Sequence, residues 1–156
     1  MKYFEKLSNT YLSHFCRRLA DLINEQGAEL ISEMNIDTPS TAISTMLFLE
    51  KHKLATVASL ADELGVTHQM ATQRVNALEK LKLLTRQYSK HDKRAKFVIL
   101  TQKGHDEVQQ LIPFTIKINK AFDDLESEIG CQLSQIIRKT ELSLIKTTLK
   151  QRISEQ

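Results

Sequence analysis

Five residues, Gln69, Thr72, Gln73, Asn76 and Lys80, fall within about one third of a helix circumference if the chain turns by about 100° per residue. Three of them are amides, whereas an ordinary solvated helix face mixes Glu with Lys. Gln and Asn carry a donor beside an acceptor, the pair that reads an adenine edge bidentately in the major groove. Thr offers a hydroxyl or a methyl, and Lys suits a phosphate. On the other side of the same turns, Ala71, Val75 and Leu78 recur at steps of four and three and form the face to be buried. The chemistry implied is recognition of a polyanion rather than bond making. Taken alone, the pattern also fits two ordinary packed helices.

Charge supports the first reading. Residues 67–103 carry nine basic side chains against two acids, Glu79 and Asp92, while the rest of the chain carries 13 basic against 17 acidic. The formal net charge is only +3, so the segregation is what informs. A charged stretch from Ser89 to Ala95 presents Lys90, His91, Lys93 and Arg94 without apolar neighbours, as the tip of a hairpin would. Its bland alternative is a mobile charged loop. Thr67 and His68 at the start of the amide-bearing helix, Arg74 at the edge of its buried face, and Arg86, Asp92 and Lys96 in or beside the hairpin complete the candidate DNA-binding set.

The elements that must hold these residues are mostly helical. From Phe4, the positions Leu7, Tyr11, Phe15, Leu19 and Ile23 form one apolar stripe that predicts a helix reaching Met34. Pro39 disfavours helix in its predecessor and is welcome at a first helical position, which predicts a second helix from Pro39 to His52. Thr56 caps a short helix, Val57 to Leu64, that Gly65 ends, and a fourth helix starts at Thr67. Leu84 to Tyr88 and Lys96 to Leu100 read as two strands of one hairpin. Thr101 caps the next helix, which Pro113 kinks or restarts, and a last helix runs from Ser127 with the stripe Ile129, Leu133, Ile136, Ile137, Leu144, Ile145 and Leu149.

Leu60, Ala61, Leu64, Gly65 and Val66 supply the apolar, small and turn residues of a helix-turn-helix in the required order. Ser59 to Thr67, Leu78-Glu79-Lys80, Asp92-Lys93-Arg94-Ala95-Lys96 and Leu100-Thr101-Gln102-Lys103-Gly104 follow one another as in the multiple-antibiotic-resistance regulator (MarR) family, which the chain resembles from residue 59 to residue 104. The flanking helices are similar to that family's in length and order. The resemblance implies a mainly α fold, with a two-stranded winged helix-turn-helix at 39–104 and helical dimerisation parts at 1–36 and 105–156, all in one domain. It implies a homodimer whose recognition helices enter successive major grooves of double-stranded DNA. It also implies that Arg94 enters the minor groove with Asp92 orienting it. The function expected by resemblance is transcriptional regulation, commonly repression released by a small-molecule effector bound between the dimer helices and the winged part. Two departures stand out. Lys82 replaces the usual Gly after the recognition helix, so it either takes a left-handed conformation or the helix ends differently. Arg74 replaces an apolar residue and can reach the phosphate backbone instead.

Other chemistries lack their residues. The histidines His14, His52, His68, His91 and His105 show no ligand spacing, and no phosphate loop, nucleophile elbow or paired catalytic carboxylate occurs, so neither a metal, a cofactor nor an enzyme is expected. Lys2, Glu5 and Lys6 interrupt any apolar leader, and no apolar run approaches the roughly 18 residues of a membrane span, which points to the cytoplasm. Cys16 is read as a small buried packing residue. The alternative is an oxidant-sensing thiol in the first helix, as some members of the resembled family have. A reading of another class is a helical dimer that uses its winged module as a protein-interaction adaptor.

Overall fold

A computed structural model describes residues 8–88 and 96–154. It divides into two compact units, Met1–Ile112 and Pro113–Gln156. The first contains a 3-10 turn (Asn9–Tyr11), α1 (Leu12–Glu33), a second 3-10 turn (Ser40–Ala42), α2 (Ile43–His52), α3 (Val57–Glu63), α4 (His68–Lys80), strands β1 (Leu84–Tyr88) and β2 (Lys96–Leu100), and the start of α5 (Gln102–Ile129). The remainder of α5 opens the second unit, followed by α6 (Leu133–Lys146) and α7 (Leu149–Ser154). The fold is mainly α with one two-stranded antiparallel sheet, a winged helix-turn-helix.

The core of the first unit is made by Met46 and Leu49 of α2, Leu60 and Ala61 of α3, Ala71, Val75 and Leu78 of α4, Leu84, Val98 and Leu100 of the sheet, and Val108 and Leu111 of α5, all buried. The sheet pairs Leu84 with Leu100 and Tyr88 with Lys96, and Ala55 adds an isolated bridge to Val98 through two backbone hydrogen bonds. That bridge anchors the base of the hairpin to the turn before α3. The linker after α1 is tied down by a buried carboxylate. Glu107 accepts hydrogen bonds from the Thr38 backbone N–H at 3.0 Å and from its hydroxyl at 2.5 Å. This pairing is what makes the burial of Glu107 tolerable.

Several helix limits differ from expectation. Ser8 is extended, so the first helical turn begins at Asn9, while Phe4 and Leu7 lie outside the described residues. Pro39 is also extended, with ψ 140, and a 3-10 turn rather than α-helix follows it. The helix expected from Ser127 is two helices after a break. Gly130 takes φ 71, the Cys131 N–H bonds the Glu126 carbonyl at 3.1 Å, and the Glu126 carboxylate caps α6 through the Ser134 N–H at 2.9 Å. Thr148 and Gln151 then form a reciprocal cap that starts α7. α5 runs through Pro113, which costs the hydrogen bond to the residue four before it but does not restart the helix.

Lys82 takes the left-handed conformation at φ 60. α4 ends there in a Schellman motif: the Lys82 N–H bonds the Glu79 carbonyl at 2.9 Å, and the Leu83 N–H bonds the Leu78 carbonyl at 3.0 Å. Leu78 and Leu83 are both buried at this closure. Left-handed backbone strain of about 1 kcal/mol in a residue with a Cβ is offset in part by the freedom glycine adds to the unfolded chain. Lys82→Gly is therefore expected to raise stability by between about zero and 1 kcal/mol, read as a higher urea midpoint. A lower midpoint would mean that side-chain contacts of Lys82 outweigh its backbone strain.

Candidate nucleic-acid interface

Local capping fixes the two helices of the motif. Thr56 and Ser59 cap α3 reciprocally, each side chain accepting the other's backbone N–H at 3.0 Å. Gly65 takes φ 61, and the Val66 N–H returns to the Ala61 carbonyl at 3.0 Å, closing α3 in the same manner as α4. Thr67 then caps α4 by accepting the Met70 N–H at 3.2 Å. With Ala71, Val75 and Leu78 buried, the opposite face of α4 exposes His68, Gln69, Gln73, Asn76 and Lys80. Thr72 is half-buried and spends its hydroxyl proton on the His68 carbonyl at 2.8 Å, so it can offer a methyl and a lone pair.

Two arginines face the protein. Arg74 is half-buried, with Nη1 at 3.4 Å from Ser44 Oγ at the start of α2. Arg86, on β1, forms an ion pair with Glu79, and its Nη2 donates to Asn76 Oδ1 at 2.6 Å. Glu79 was legible only as an acid interrupting a basic stretch, and that oddity was the available signal for its pairing. Lys103 also belongs to the basic segment but is paired at the surface, donating to Asp37 at 2.5 Å and to the Leu81 carbonyl at 3.2 Å. The bond to Asp37 raises its pKa above the ordinary lysine value. The local positive charge offered to a partner is therefore smaller than the residue count suggests.

At the far end of the hairpin, Lys96 is exposed and its Nζ lies 5.1 Å from the centre of the exposed Tyr88 ring. Lys90, Asp92, Lys93 and Arg94, the rest of the expected wing contacts, lie outside the described residues. Cys16, read as buried, is instead exposed in the single chain, on a helix whose buried residues reduce to Ile31. Packing for Cys16 would require a surface from another molecule. Among the described residues no group of three His, Cys, Asp or Glu is placed to hold a metal, and no helix is long and apolar enough to cross a membrane.

Residues 36–95 match the model of the MarR family, covering the linker, both helices of the motif and most of the hairpin. Over that segment the chain is similar to the MarR family. Its fold is similar to that of Staphylococcus aureus MepR in a DNA complex, at 20% identity and TM-score 0.71, over 89% of this chain and 100% of that one. It is also similar to the Mycobacterium tuberculosis regulator MosR in complex with DNA, at 18% identity and TM-score 0.67, over 86% and 94% of the two chains. Bacillus subtilis YusO matches at 20% identity and TM-score 0.53, over 88% and 98%. At these identities the likeness is one of fold. A comparison with curated protein sequences finds no match. In this fold α4 occupies the place of the second helix of the helix-turn-helix, and β1 and β2 form the wing.

Proposed function

We propose that this chain is a member of the MarR family and a sequence-specific, duplex-DNA-binding transcriptional regulator that acts as a cytoplasmic homodimer, a repressor released by a small-molecule effector. The observation that carries the reading is the exposed amide face of α4. Gln69, Gln73 and Asn76 stand opposite the buried Ala71, Val75 and Leu78, with Lys80 at the helix end. An amide-bearing helix of 13 residues anchored by its apolar side is the form that enters a major groove. The DNA complexes of the similar MepR and MosR support the same use of the fold.

Base contacts and charge contacts separate experimentally, because the former discriminate sequence and the latter add affinity to any duplex. Gln73→Ala is expected to cost on the order of 1 to 3 kcal/mol on a selected operator and almost nothing on scrambled duplex. Arg94→Ala is expected to cost a similar amount per half-site through loss of a minor-groove contact, most on A·T-rich flanks. Titration of both variants against operator and scrambled duplex checks this. Equal losses on the two duplexes for Gln73→Ala would remove α4 from base readout.

A further inference from the structure

Thr72 stands on α4 about one turn after Gln69 and one turn before Asn76, at the border between the exposed amide face and the buried Ala71 and Val75. Its hydroxyl is engaged within the helix. Oγ1 donates to the His68 carbonyl at 2.8 Å and lies 3.5 Å from Nδ1 of the His68 ring, so the polar end of the side chain is held against the preceding turn. That bond fixes the side-chain torsion. The methyl group is therefore kept in one staggered position, turned away from the carbonyl that Oγ1 bonds. A β-branched side chain held in this way sets a hydrocarbon group beside two amides.

We infer that Thr72 is a specificity-determining residue whose γ-methyl reads the C5-methyl of a thymine in the major groove. The inference rests on the DNA-binding reading above and deepens it by naming a base. Thymine alone carries a methyl in that groove, so a fixed hydrocarbon group distinguishes it from cytosine without making a hydrogen bond. The preference comes from apolar surface removed from water between the two methyls, worth roughly four-fold in affinity for one methyl group. The Thr72 oxygen keeps acceptor capacity, and two near-isosteric substitutions separate its use from that of the methyl.

The test uses the full chain and a duplex that wild type selects from a library of random sequence, with each thymine replaced in turn by deoxyuridine. That replacement deletes the methyl and leaves the hydrogen-bonding groups of the base pair in place. Wild type is expected to lose roughly four-fold in affinity at one thymine position of each half-site. Thr72→Val keeps a methyl without the hydroxyl and is expected to show the same loss at the same thymine. Thr72→Ser keeps the hydroxyl without the methyl, and is expected to bind the thymine duplex roughly four-fold more weakly and to be indifferent to deoxyuridine at that position. Circular dichroism establishes that the variants are folded. If Thr72→Ser is not, Thr72→Ala, the better helix former, takes its place. Wild type indifferent to deoxyuridine at every thymine overturns the inference alone. So does a folded Thr72→Ser or Thr72→Ala that keeps every wild-type sensitivity, or a Thr72→Val that binds weakly where Thr72→Ser binds as wild type does. Failure of wild type to enrich any sequence overturns the DNA-binding reading beneath it.

Discussion

Gly104→Ala is expected to destabilise the winged part by about 3 to 5 kcal/mol, although alanine is the better helix former by about 1 kcal/mol. Gly104 lies in the first turn of α5, where its N–H is capped by Thr101 Oγ1 at 3.1 Å. A Cβ there would stand 2.0 Å from the Leu83 carbonyl oxygen and 3.3 Å from Leu100 Cδ2. The obstructing atom is backbone, so no rotamer relieves it. That carbonyl also accepts from the Thr101 N–H at 3.0 Å and hydroxyl at 3.2 Å, so moving it strips the bonds that dock α5 on the turn after α4. The thermal midpoint is expected to fall by about 10 °C or more. An unchanged or higher midpoint would mean that α5 and the Leu83 turn do not approach so closely.

The second large effect concerns assembly. α1 exposes Leu12, Leu22, Ile23 and Leu30, and the second unit exposes Ile116, Ile136, Ile137, Leu142, Ile145, Leu149 and Ile153. α6 and α7 bury no residue in the single chain. These exposed apolar stripes are the surface that the proposed homodimer would bury. Ile145, 73% exposed, and Leu149, 65% exposed, support little of the protomer fold. Ile145→Asp with Leu149→Asp is therefore expected to leave helicity intact while removing four apolar side chains from a two-fold interface. At about 1.5 kcal/mol or more each, that weakens the dimer by a factor of about 10⁴ or more. Sedimentation of the variant as a dimer at micromolar concentration would place the interface elsewhere.

Features set within a few residues were the ones legible in sequence. Thr56 and Thr67 cap helices and Gly65 ends one because each acts on backbone groups three or so positions away, and the run of strand-favouring residues at Lys96–Leu100 sufficed for a strand. The break at Gly130 and the Thr148–Gln151 cap carried the same kind of local signal but were hidden under an apolar stripe that continues across them. Long-range pairings left no trace. The Ala55 bridge to Val98, the Thr38 bond to Glu107 and the clash awaiting a Cβ at Gly104 depend on chain segments brought together only by folding. The candidate site divides in the same way. Periodicity placed Gln69, Gln73 and Asn76 on an exposed face, but the direction of the Asn76 amide is set by Arg86 from a different element.

The most direct test of DNA binding is the salt dependence of wild-type association with a selected duplex. A regulator that docks α4 in the groove and neutralises phosphates with Lys80 and the wing releases counterions, so log affinity should fall linearly with log salt, by about 0.9 for each phosphate contacted. Specific duplex should remain bound at salt that dissociates scrambled duplex. A stable dimer that binds no duplex, or binds one with an affinity indifferent to salt, would contradict the proposal and return the winged module to the role of a protein-interaction adaptor.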